Sequence, residues 1–132
     1  MARVGLVSNV EFLIPRETAV IDRAKLARLG RTMGRDAAAR IAERAIEEVA
    51  ERICAIELAW RTSDFVRLGK TARALIAISE QIGMVGVAEV STDICTTLAN
   101  RDEAALAAVV SRLVRVGDHS LGTAATGEFL SS

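Results

Sequence analysis

Hydrophobic positions along most of this chain recur every three or four residues, the spacing of one face of an α-helix. Ile41, Ala45, Val49, Ile53, Ile56 and Trp60 form one such stripe, predicting a long helix from near Asp36 to about Arg61. Phe65, Leu68, Ala72, Leu75, Ser79 and Ile82 form a second, with Ser63-Asp64 as its capping turn and Gly83 as its stop. Val87, Val90, Ile94 and Leu98 form a third. After the turn Asn100-Arg101-Asp102, Leu106, Val109, Leu113 and Val116 form a fourth. Ahead of these, Leu26 and Leu29 follow a capping Asp22 and predict a short leading helix that ends at Thr32-Met33-Gly34. Short connections between long amphipathic helices make neighbours antiparallel, so the expected fold is all-α: an antiparallel up-down four-helix bundle with a short leading helix.

The two ends of the chain break the pattern. Residues 1–20 carry Val4, Leu6, Val7, Val10, Phe12, Leu13 and Ile14 around a candidate turn at Ser8-Asn9, composition that suits an extended segment. Two readings of this N-terminal extension stay open: it covers one end of the bundle, or it pairs with a second copy as a homodimer contact. Gly117, Gly122 and Gly127 punctuate the other end, so the bundle is expected over residues 21–118 and a frayed helical extension or a flexible tail over 119–132.

Composition narrows function by exclusion. Of 132 residues 51% are apolar and 3% aromatic, which describes one soluble domain with an aliphatic core. Seventeen basic residues balance seventeen acidic ones, so nothing favours nucleic acid, and four aromatics offer few base-stacking platforms. Short apolar runs and the lack of a leader pattern argue against a membrane partner and make the cytoplasm the expected compartment. Two cysteines, Cys54 and Cys95, and one histidine, His119, cannot supply a zinc site of the usual kind, so neither metal nor cofactor is expected. Both cysteines stand among aliphatic residues and are expected in the core as reduced thiols. No nucleophile, base and acid converge in any motif, and no enzymatic activity is expected.

The order of these features resembles a histidine-containing phosphotransfer (HPt) domain, the helical bundle that passes phosphoryl groups between receiver domains in two-component signalling. The likeness spans roughly residues 21–116. Ile21-Asp22-Arg23-Ala24-Lys25-Leu26-Ala27-Arg28-Leu29 and Met33-Gly34-Arg35-Asp36 resemble the family's opening helix and the Gly-x-Asp start of its first long helix. Thr62-Ser63-Asp64-Phe65 resembles the turn before its active-site helix. That helix reads approximately Ala-His-x-Leu-Lys-Gly-x5-Gly in the family, and Ala72-Arg73-Ala74-Leu75-Ile76-Ala77, followed by Gly83, aligns with it without a gap. Arg73 stands where the phosphoryl-accepting histidine belongs, Ile76 replaces the lysine, and Ala77 replaces the first glycine.

A guanidinium stays protonated and offers no lone pair, so it cannot take a phosphoryl group as imidazole does. His119 does not substitute for it: in His119-Ser120-Leu121-Gly122 the glycine falls at i+3, off the histidine's face. His119 is expected as a surface residue near a helix end. The resemblance therefore implies a phosphorylation-incompetent relative that binds a response-regulator receiver domain as adaptor or inhibitor. Val66, Gly69, Lys70, Arg73, Ala77 and Glu80 share one side of the helix and are the expected partner-binding stripe, with Gly69 allowing close backbone approach by a neighbour. The alternative is a homodimeric helical interaction scaffold with a different partner, since fold does not fix function.

Overall fold

A computed structural model of the chain describes residues 28, 31 and 34–125. Over that range four helices follow one another: α1 (Arg35–Arg61), α2 (Phe65–Gln81), α3 (Val85–Ala99) and α4 (Glu103–Ala125). The helices pack in a ring, α1 on α2, α2 on α3, α3 on α4 and α4 back on α1. Each connection is three residues long, which forces the chain to reverse, so the architecture is the antiparallel up-down bundle expected from the periodicity. Arg28 and Arg31 are helical; the remainder of the expected leading helix, the extension at 1–20 and residues 126–132 lie outside the described residues.

All three connections are built alike. After α1, the N–H of Asp64 reaches the carbonyl of Ala59 and that of Ser63 the carbonyl of Trp60; Met84 to Ser79 with Gly83 to Glu80, and Asp102 to Thr97 with Arg101 to Leu98, repeat the pair. This crossed pair of bonds is the Schellman ending, and it needs a left-handed residue at its centre. Gly83 supplies one at φ 78°, whereas Ser63 and Arg101 adopt φ 58° and 55° with side chains attached. The next residue then opens the following helix. Asp64 Oδ1 accepts from the Arg67 N–H at 3.2 Å and Asp102 Oδ1 from the Ala105 N–H at 3.0 Å, so one short motif ends a helix and caps its successor.

The aliphatic stripes meet along the axis. Val49, Ile56, Leu68, Leu75, Ile82, Met84, Val87, Val90, Ile94, Leu113 and Val116 are almost fully inaccessible, and burial of each such side chain contributes about 1.5 to 3 kcal/mol. Alanines complete the packing, with Ala42, Ala45, Ala59 and Ala72 buried where helices approach closely. The stripes err at their ends. Ile41 is 39% and Phe65 38% exposed, and Trp60, Leu98 and Val109 are half-buried. Counting about 1.5 Å per residue, α1 is about 15 Å longer than α2, so the Ile41 end of α1 projects past its neighbour.

Beyond residue 118 the chain continues α4 as a helical extension to Ala125, packed rather than frayed, with Ser120 buried and Leu121 and Ala124 on the core. Two expectations are corrected. Gly117 does not loosen this helix; it is buried where α4 crosses α1 and leaves room for Ile53. Cys54 is not a core residue but exposed, because Ile53 and Ile56 fix the inward face of α1 and position 54 turns away from it.

Candidate functional site

The outer side of α2 is built by opposing local and charge preferences. Asp64 caps the helix, yet its first turn holds no acidic residue, and Arg67, Lys70 and Arg73 occupy the half nearest the positive end of the helix dipole. Arg67, in the first turn, opposes the dipole by about 0.3 to 1 kcal/mol at an exposed site, and Lys70 and Arg73 lie beyond that turn. All three are exposed, and no ion pair joins them to a carboxylate among the described residues. An apolar edge borders them, with Val66 72% exposed and Phe65 beside it.

The structure brings Val66, Lys70, Arg73, Ala77 and Glu80 to the surface of α2, and Gly69 beneath them is buried. Gly69 does not serve a close backbone approach. A Cβ placed there would meet Leu98 Cδ1 of α3 and Arg73 Nη1, each at 3.5 Å, which is ordinary van der Waals contact. The Arg73 guanidinium thus folds back along its own helix toward the α2–α3 seam, where half-buried Cys95 also lies. Burial pushes the Cys95 thiol above its ordinary pKa, and the nearby Arg73 charge partly offsets the rise.

Cys95, Leu98, Phe65 and Arg67 belong to this surface although the α2 stripe did not include them. Phe65 and Arg67 could have been found from their sequence distance to Val66 and Lys70 alone. Cys95 and Leu98 could not, because they arrive from α3 and only the packing of two helices puts them beside Arg73.

Two concave regions flank α2. A groove of about 800 Å³ runs between α1 and α2, walled by Glu47, Glu48 and Glu51 on one side and Arg67 and Thr71 on the other. A smaller cleft of about 300 Å³ opens at the end of the bundle between Phe65, Leu98, Arg101 and Leu106. His119 lies apart from both, exposed on α4. Among the described residues no helix is long and apolar enough to cross a membrane. No family model, no curated protein and no solved structure matches the chain.

Proposed function

We propose that this chain is an HPt-like signalling protein that has lost phosphoryl transfer and binds a response-regulator receiver domain as a non-enzymatic adaptor or inhibitor. The observation that supports this reading most is Arg73: it occupies the position of the accepting histidine in the sequence resemblance, and it stands exposed on α2 without an ion-pair partner among the described residues. An acidic receiver pocket would supply that partner. One charge-assisted hydrogen bond there contributes about 1.5 to 3 kcal/mol, roughly ten- to a hundredfold in affinity. Lys70 adds a second cation, and Val66 and Phe65 add apolar contact at the rim.

The experiment is titration of the purified chain, and of Arg73→Glu, against receiver domains from the organism that carries it. Each receiver is tested with and without a phosphoryl mimic at one fixed salt concentration. Selective binding to a receiver, weakened at least about tenfold by the reversal, is expected. Unchanged affinity of Arg73→Glu would remove the docking model.

A further inference from the structure

The outward side of α1 carries a repeat of its own. Opposite the buried Val49, Ile53 and Ile56, the residues Arg40, Arg44, Glu47, Glu51, Cys54 and Leu58 recur at alternating spacings of four and three, all of them exposed. That spacing is the seam of a two-stranded coiled coil. Its charges are set against the helix that carries them: Arg40 and Arg44 stand four apart, as do Glu47 and Glu51, and like charges at that spacing weaken a helix. No ion pair among the described residues relieves any of the four. Elsewhere on α1 the favourable order holds, Glu48 with Arg52 at 2.7 Å and Glu57 with Arg61 at 3.4 Å.

We infer that this stripe is the seam of a homodimer in which α1 packs antiparallel on α1 of a second copy. The two-fold axis lies in the plane of the interface, at right angles to both helices and level with Ala45 and Ile46, so each stripe meets its own reverse. Arg40 then faces Glu51 of the second copy and Arg44 faces Glu47, and the symmetry repeats both pairs. The same charges fix the register. Sliding one helix by seven residues sets Arg40 against Arg44 of the other copy in one direction and Glu47 against Glu51 in the other. A parallel pair would set each charge against itself.

The shape of the bundle leaves room for this pairing. Counting about 1.5 Å per residue from the turn at 62–64, the axis is level with the last turn of α2, so the projecting end of α1 in each copy lies along the body of α1 in the other. The α2 and α3 helices of the two copies then stand at different heights. Exposed ion pairs are individually weak, so the association is modest and salt-dependent. No residue of the α2 stripe takes part, and the dimer therefore stands without the receiver reading. It is also distinct from pairing through residues 1–20, which uses none of these side chains.

The test is sedimentation of the full chain beside three variants: an acidic stripe, Arg40→Glu/Arg44→Glu; a basic stripe, Glu47→Arg/Glu51→Arg; and the exchange of signs that combines all four substitutions. The four sites are exposed, and circular dichroism checks that each variant keeps the helical fold. The wild type is expected to dimerise with a Kd below about 100 μM at low salt, rising at least about tenfold between roughly 50 and 500 mM salt. The acidic and basic variants are each expected to be monomeric alone and to dimerise when mixed in equal amounts. The exchanged stripe is again its own complement and is expected to dimerise by itself. A short bis-maleimide reads the register in a Cys95→Ser background, because Cys54 of one copy falls opposite Ala37 of the other. Ala37→Cys is expected to allow a link between positions 54 and 37, whereas the two Cys54 thiols stand about 25 Å apart along the seam and stay unlinked. A monomeric wild type, an acidic or basic variant that stays dimeric, a mixture or exchanged stripe that stays monomeric, or a link between the two Cys54 thiols would each overturn the inference. Receiver binding reads separately, since none of these substitutions touches α2.

Discussion

Ile53 of α1 occupies the space that a side chain on Gly117 of α4 would need: a Cβ at Gly117 would stand 2.5 Å from Ile53 Cδ1. The two residues therefore set how closely the first and last helices approach and close the ring. Gly117→Ala gains about 1 kcal/mol of helix propensity but forces the Ile53 terminal methyl to move, and overpacking of this kind costs about 1 to 3 kcal/mol. A net loss of about 1 kcal/mol is expected. In an Ile53→Val background the offending methyl is absent, so the same alanine should stabilise. Urea unfolding of the four-member cycle measures it, and additive effects would show that the two residues do not meet.

Ser63 and Arg101 hold the left-handed centres of two helix endings where the third uses glycine. The left-handed conformation costs a residue with a Cβ about 1 to 2 kcal/mol, and glycine returns part of that to the unfolded chain as entropy. Ser63→Gly and Arg101→Gly are each expected to raise stability by about 0.5 to 1 kcal/mol. Thermal melts should show both shifts, and their sum in the double variant, since the two turns share no hydrogen bond.

Ser79 and Ser91 are buried hydroxyls with opposite fates. Ser91 Oγ donates to the Val87 carbonyl at 2.8 Å, while Ser79 Oγ has no hydrogen-bond partner among the described residues. An unsatisfied buried polar group costs about 1 to 3 kcal/mol. Ser79→Ala removes that penalty and is expected to stabilise by about 1 kcal/mol, whereas Ser91→Ala removes a bond already made and is expected to be neutral or destabilising. Denaturant midpoints of the pair distinguish the two environments.

Gly69→Ala separates packing from docking on α2. The space around Gly69 accepts a methyl group at ordinary contact distance, so helix propensity decides and the variant should gain up to about 1 kcal/mol. A loss of stability would mean that Leu98 sits closer to α2 than 3.5 Å allows.

What was legible in the sequence was local. Helix periods, the three connections, the caps at Asp64 and Asp102 and the stop at Gly83 each depend on a few consecutive residues. Where a residue's fate depends on a partner helix, the pattern misled. Ile41 continues the α1 stripe but has no α2 left to cover it; Phe65 begins the α2 stripe but sits at the bundle's open end. Gly117 looked like a breaker because its use, giving room to Ile53, is written 64 positions away. The candidate surface divides the same way: the face shared by Val66, Lys70 and Arg73 follows from helix geometry alone, whereas Cys95 and Leu98 required α3 to be in place.

The two thiols report directly on whether Arg73 lies against the α2–α3 seam. Cys54 is exposed, whereas burial raises the pKa of Cys95 above its ordinary 9.0 and the Arg73 charge opposes that rise. At mildly alkaline pH the reactive thiolate is scarcer at Cys95, so alkylation followed by mass spectrometry should label Cys54 first. Replacing Arg73 by Gln removes the opposing charge, and the midpoint of the Cys95 rate against pH is expected to move further up. The sign carries to stability as well. A thiol that ionises less readily when folded leaves the fold intact below its ordinary value and weakens it as pH rises through that value and beyond. An unmoved Cys95 midpoint in Arg73→Gln would mean that the guanidinium extends into solvent, poised for a partner from the start.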